Sequence, residues 1–294
     1  MIISSRLGSV SAITHELTSS DALLRTPLAL SRRIGFVQLR GGSGASSTAG
    51  YVASMLARRR TGMVLAVNAS AGQASLLWHA GLTRPAADSA REARNAHPRT
   101  HPGSAADARA GLPVTTTGLI ALDLSRDHLA ASAGTWFEQV SPIARFYDLV
   151  ITDWGVRHPQ VDLRQVARAS HVVCLVARAD RYPAEEAAAL LPALSEAEDR
   201  PRVVLALVDV GRTAGRTPQL LRSQLAAPVL PIPYDPLRAA ERPVASRRLP
   251  TRTRLAYTRL CTAVMAEAVR PDYRRLVAPE LEASQPAAAG VERP

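Results

Sequence analysis

The segment Arg40-Gly-Gly-Ser-Gly-Ala-Ser-Ser-Thr48 constrains this chain more than any other feature. It follows directly on a short apolar run of strand type, Ile34-Gly-Phe-Val-Gln-Leu39. It leads into residues 49–60, where Val52, Met55 and Leu56 recur at helical spacing. A second strand-type run, Met63-Val-Leu-Ala-Val67, comes next. Strand, glycine loop, helix and strand within about 35 residues make a βαβ unit. A glycine-rich turn between strand and helix aims successive backbone N–H groups into one concavity at the positive end of the helix dipole, which suits phosphate. Gly41, Gly42 and Gly44 stand where such a nest needs them. The alternative is a Gly/Ser-rich βα turn that carries no ligand.

The remainder keeps the alternation. Strands are expected at 118–122, 148–152, 171–176, 203–208 and 229–232, and helices within 129–146 and at 161–169, 183–197, 217–225 and 251–269. Pro183 opens its helix, where a missing N–H costs nothing. About seven strands alternating with helices through mostly short connections mean an α/β fold with a doubly wound, mostly parallel sheet. Residues 1–33 are polar and weakly patterned and read as a leader with a short helix around 20–25. The main domain spans 34–269. Within it, residues 83–112 lack a sustained apolar face and read as a flexible insertion with a short helix near 88–95. The tail, 270–294, drifts into Ala, Pro and Glu and reads as disordered.

Composition removes several function classes. The chain has 294 residues, a hydrophobic fraction of 47% and two cysteines, Cys174 and Cys261, too few for a disulfide framework or a four-ligand zinc site. No apolar run approaches the ~20 residues of a membrane span, and residues 1–33 lack a secretory signal pattern, so the expected location is the cytoplasm. All 36 basic residues are arginine, and the net charge is +11. With no lysine, the chain has no Schiff-base or general-base lysine and no complete Walker A motif.

The loop resembles the deviant Walker A of MinD/ParA-type P-loop ATPases, KGGxGKTT or KGGxGKST. The resemblance runs on through Val64-Leu-Ala-Val-Asn-Ala-Ser70, where that family has a strand entering an Asp-x-Asp. It includes Tyr147-Asp-Leu-Val-Ile-Thr-Asp-Trp-Gly155, which is similar to the Walker B strand and second switch. Ile232-Pro-Tyr-Asp-Pro236, Leu249-Pro-Thr-Arg-Thr-Arg-Leu-Ala-Tyr257 and the leader Leu23-Leu-Arg-Thr-Pro-Leu28 resemble actinobacterial MinD-like proteins, some of which accompany type VII secretion systems. Together the match covers roughly residues 23–269. It implies ATP with Mg²⁺ as cofactors, a protein partner and a homodimer. Carried over position by position, the cradle comprises Arg40, Gly41, Gly42, Ser43, Gly44, Ala45, Ser46 and Ser47. Ser46 and Asp153 would ligate Mg²⁺. Asp209 stands where the family often reads adenine with Asn, and Pro233, Tyr234 and Asp235 follow the last strand at the nucleotide edge.

The departures lie at the charged positions. The P-loop lysine falls on Ala45, and the signature lysine that crosses the dimer falls on Arg40. The two carboxylates of Asp-x-Asp fall on Asn68 and Ser70, the second being the water-positioning one. A charge pair at 4 Å and an effective dielectric of 20 is worth about 4 kcal/mol. Losing the lysine therefore weakens triphosphate binding by up to roughly a thousandfold. Phosphoryl transfer depends on positioning and charge stabilisation, so the combined losses point to a pseudo-ATPase that serves as a regulatory or scaffolding module in positioning, partition or secretion. Two alternatives stand beside it: an ATPase that uses Arg40 or a partner's residue, and a nonspecific DNA-binding scaffold. The last rests on a basic run that includes Arg242, Arg247, Arg248, Arg252 and Arg254, which could meet DNA phosphates or be a solvated face. No MinD-like membrane helix is evident in the tail.

Other polar residues read as structural. His97 and His101 have a metal-pair spacing in a loop without cysteine. Ser125 or Asp127 is the expected N-cap of the following helix. Arg58, Arg59 and Arg60 end a helix where cations favour its dipole. Cys174, Cys261 and Trp154 are expected to be packed.

Overall fold

Runs rich in Val, Ile, Leu and Ala, buried on both faces, form a single parallel sheet, the arrangement such runs favour. In the computed structural model, residues 3–82, 102–125, 129–239 and 244–270 are described. The strands are β1 (Arg32–Gln38), β2 (Val64–Asn68), β3 (Ile120–Asp123), β4 (Leu149–Val156), β5 (Val172–Arg178), β6 (Arg202–Val208) and β7 (Val229–Ile232). Their order is β3-β2-β4-β1-β5-β6-β7, and every pairing is parallel. Side chains alternate strictly. Val37, Leu65, Val150, Val173 and Leu175 enter one core, and Ile34, Phe36, Ala66, Ile151 and Cys174 the other.

The second core is covered by α1 (Ile3–Arg25), α2 (Ala45–Arg59), α3 (Leu76–His79) and α11 (Thr251–Val269). The first core is covered by α4 (Ala105–Arg109), α5 (Ala133–Gln139), α6 (Ser141–Ala144), α7 (Leu163–Ala169), α8 (Arg181–Ser195) and α9 (Thr217–Gln224). A short helix α10 (Pro236–Ala239) and a 3₁₀ turn (Ser246–Arg248) precede α11.

Three local expectations need correction. The leader holds a helix of 23 residues rather than a short one. Only a sparse apolar face marks it, Ile13 and Leu17 leading to fully buried Leu24, and it is flanked by ion pairs from Glu16 to Arg259 at 2.8 Å and from Asp21 to Arg59 at 3.4 Å. Residues 102–112, expected to be flexible, are packed: Ala108 is fully buried and its carbonyl accepts from the Tyr147 hydroxyl at 3.0 Å. Arg60 does end helix α2, as expected, but its side chain serves more than the helix dipole. Its guanidinium turns inward, donates to the Leu24 carbonyl at 2.9 Å and faces Asp148 at 3.6 Å. The helix expected near 88–95, both histidines of the 97–101 pair, Asp127, Arg242 and the tail beyond Arg270 lie outside the described residues.

Candidate functional site

The glycine loop joins the C-terminal end of the central strand β1 to the first turn of α2, so its backbone is placed by the two most constrained elements of the fold. Gly42 and Gly44 adopt φ of +76° and +82°, where a side chain would be strained. At Gly41 and Gly42 a Cβ would meet nothing within 4 Å, so the loop borders open space. The Ser43 hydroxyl donates to the Arg40 carbonyl at 2.9 Å and Ser47 to the Gly44 carbonyl at 3.1 Å, which fixes the turn from within. Helix α2 begins without a side-chain cap, and Thr48 makes its first helical bond to Gly44. The N–H of Ala45 points at the Gln38 side-chain carbonyl, 3.4 Å away. The Ala45 methyl is buried.

Asn68, Asp123 and Asp153 share one register row across β3, β2 and β4 at the edge where β1 delivers the loop. Asp153 is fully buried. Its Oδ1 accepts from the Gly155 N–H at 3.0 Å, while Oδ2 has no hydrogen-bond partner. Burial pushes this carboxyl well above the usual range, against the opposing pull of the Ser46 hydroxyl, the Gly155 amide and the Ser70 hydroxyl beside it. Asn68 donates to Asp123 at 2.8 Å, and its carbonyl accepts from the Ser70 N–H and hydroxyl at 3.1 and 2.7 Å. The two positions of the Asp-x-Asp thus form a neutral, mutually satisfied pair. Ser125 joins this cluster through Asp123 and caps no helix. The cap of α5 is Ser132, which accepts from the Thr135 N–H.

The Arg40 side chain is held by α8. Its guanidinium lies bidentate on Glu186 of α8, at 2.8 and 2.9 Å, with its carbon 5.4 Å from the Tyr182 ring. The sequence-level alternatives, a phosphate fork or a solvated side chain, both miss this partner.

Several solved structures share this architecture. The chain is similar to the cell division ATPase MinD of Pyrococcus furiosus, with a TM-score of 0.61 and 19% identity over 82% of this chain and 100% of that one. It is similar to MinD complexed with Mg-ADP from Pyrococcus horikoshii OT3, at 0.59 and 18% over 78% and 94%. A ParA family ATPase from Chlorobium tepidum TLS gives 0.54 and 19% over 79% and 98%. The fold is that of the MinD/ParA P-loop ATPases. No protein-family model and no curated protein matches the sequence.

On the MinD/ParA fold the remaining candidates divide. Asp209 turns its carboxylate onto its own loop, accepting from the N–H groups of Gly211 and Thr213 at 3.3 and 3.0 Å. Asp235 caps the turn after Pro233 and Tyr234 by accepting from the Leu237 N–H at 3.0 Å, and its buried Oδ2 is unpartnered. Trp154 occupies a bulge, because Phe36 pairs with Asp153 and Val37 with Gly155. Its indole packs against Gly35, where a Cβ would lie 2.9 Å from Nε1. Gly155 has φ +66°, and a Cβ there would meet Ser70 Cβ at 2.7 Å. Glycine at 35 and 155 therefore lets β4 seat against its neighbours. Arg157 has a role that the sequence does not announce. It donates to the carbonyls of Ala69 and Ala131 at 3.0 and 2.7 Å and holds together the loops after β2 and β3. A single arginine after a strand carries no sequence signal for that role.

Of the basic run, Arg247, Arg248, Arg252 and Arg254 are exposed. Arg252 reaches the Tyr234 carbonyl at 3.3 Å and Arg254 the Thr251 hydroxyl at 3.3 Å. Cys174 and Cys261 are buried free thiols. No helix of the described residues is long and apolar enough to cross a membrane.

For Mg²⁺ and a phosphate chain the donor set fits in part. The loop offers backbone N–H groups beside open space, and an orphaned buried oxygen of Asp153 lies next to Ser46. The side-chain cation that normally completes such a cradle is replaced by Ala45.

Proposed function

We propose that the chain is a MinD/ParA-like protein without ATP turnover that works as a regulatory or scaffolding module in positioning, partition or secretion. The observation that carries this reading is the buried methyl of Ala45 at the loop, with Arg40 held on Glu186. A phosphate chain entering the nest would meet backbone dipoles and no guanidinium. Ser46 and Asp153 would hold Mg²⁺, which would neutralise phosphate charge; the N–H groups of the loop would orient the phosphate oxygens. The neutral Asn68–Ser70 pair supplies no carboxylate to orient a water, so bound nucleotide would be a structural ligand. The nucleotide edge then acts by shape, in a homodimer or with a protein partner, in the cytoplasm. The likeness of the leader and C-terminal segments to actinobacterial MinD-like proteins makes type VII secretion one setting for it.

The test is phosphate release by the purified full chain with Mg-ATP. The expected rate equals that of Asp153→Ala and of buffer. A rate above background that Asp153→Ala abolishes overturns the reading and returns the site to catalysis.

A further inference from the structure

A cavity of about 790 Å³ opens between α1, α2, α11 and the 3₁₀ turn, at the opposite end of α2 from the glycine loop. We propose that this cavity binds a soluble organic phosphate carrying an apolar or aromatic body.

Four arginines line it, Arg58, Arg59, Arg247 and Arg254, and no acidic residue does among the described residues. Arg59 is shared with Asp21 at 3.4 Å just outside. Arg247 and Arg254 are exposed, and Arg254 donates to a neutral hydroxyl, that of Thr251. Guanidiniums stay charged at every physiological pH and match phosphate oxygens in pairs, so Arg247 and Arg254 can turn to a phosphate in the cavity. Thr116 and Thr251 also line it, and their hydroxyls can donate to the same oxygens.

Most of the lining is apolar. Ile13 and Leu17 of α1, each 43% exposed, stand one turn apart opposite Met55 and Leu255. A bare inorganic anion would leave this surface wet, whereas an organic body would cover it. The size falls within the range of small-molecule sites. The concave shape also divides the arginine run: Arg247 and Arg254 line the cavity, whereas Arg248 and Arg252 do not. A convex duplex would engage the outer pair at least as well as the inner.

The experiment is calorimetry on the full chain with dihexanoyl phosphatidic acid, monomeric in solution, as the probe. Dihexanoyl phosphatidylcholine and inorganic phosphate serve as controls. Saturable binding of the phosphatidic acid is expected, at least about tenfold tighter than either control. Arg247→Ala with Arg254→Ala should weaken it at least about tenfold, and Arg248→Ala with Arg252→Ala, equal in charge loss, should leave it unchanged. Equal affinity for the three probes on the wild type overturns the proposal even if the inner double variant fails to fold. So does equal weakening by the two double variants, which means bulk charge. Retention on phosphatidylglycerol vesicles without binding of the monomer also overturns it and makes this face a membrane surface. Displacement of the probe by a random DNA duplex only when Arg248 and Arg252 are intact assigns the arginines to nucleic acid instead.

Discussion

At its first turn, helix α2 meets a loop of uncapped backbone N–H groups, with Ala45 where a cation would reach. At its last turn, about 20 Å away at 1.5 Å per residue, it carries Arg58 and Arg59 into a cavity that also receives Arg247 and Arg254. Both ends can receive an anion, but the positive charge has different sources. At the loop it is partial charge on fixed amides; at the cavity it is full charge on long side chains. A nest of amides selects by shape and binds weakly without a cation. A guanidinium cluster binds through charge, which salt screens. The difference lets the two proposals be tested apart: binding at the loop should depend on shape, and binding at the cavity on charge and salt.

The largest effect that would break this contrast comes from returning a cation to the loop. Ala45→Lys should raise Mg-ATP affinity by between about tenfold and about a thousandfold, the upper bound being the ~4 kcal/mol of one charge pair. Calorimetry on both variants measures it. No gain would mean that the amides are closed to phosphate, Gln38 being the side chain already placed against the Ala45 N–H. The loop would then be a turn and not a nest.

A smaller effect sharpens the cavity side. His79 lies at its wall, and burial, then the Arg238 charge, lower its pKa from 6.5 to about 4. A depressed pKa in the folded state means that protons bind the unfolded chain better. The stabilising contribution is therefore complete above pH 6.5 and is lost as pH falls through about 4. A tenfold difference in proton affinity between the folded and unfolded chain is worth about 1.4 kcal/mol, so the loss is on the order of 2 kcal/mol after allowance for partial exposure. Urea midpoints measured from pH 7 to pH 4 should fall less steeply in His79→Gln than in the wild type. Arg238→Gln should raise the His79 pKa seen by NMR; an unchanged titration would remove the electrostatic half of this account.

How much of this is legible in the sequence differs by region. The sheet is, because its strands are unbroken apolar runs, and α11 begins and ends where its pattern does. The glycine loop is, because backbone conformations needing glycine leave glycine in the sequence. Helix α1 is legible only in its last turn, since its apolar residues are sparse, Ile13 and Leu17 stay part-exposed, and its ion-pair partners Arg59 and Arg259 are distant in sequence. At the candidate site, the missing charges are visible as residue identities, but the partners of the residues that replace them are not. Asn68 finds Asp123 across a strand pair, and Arg40 finds Glu186 a full 146 positions away. Ser125 reads as a cap from its place before a helix, yet it bonds Asp123, and the cap of α5 is Ser132.

The smallest effect concerns the pair of Arg40 and Glu186. Glu186 is the only acidic group bonded to Arg40 among the described residues, and the pair stands at the surface beside Tyr182. The hydrogen bonds hold the Glu186 carboxyl below its ordinary range, and Arg40 correspondingly above its own. Exposed ion pairs are weak and salt-screened, so Glu186→Gln should leave the melting temperature nearly unchanged. It would, however, release the guanidinium of Arg40, which directly precedes the loop glycines, to meet phosphate charge there. Mg-ATP affinity of Glu186→Gln should rise by less than about fivefold, and the gain should vanish in Glu186→Gln with Arg40→Ala. In the Ala45→Lys background the same change should add little, because the phosphate charge is then already met. A large gain, or one that survives loss of Arg40, would show that α8 itself, rather than the Arg40 charge it holds, obstructs the loop.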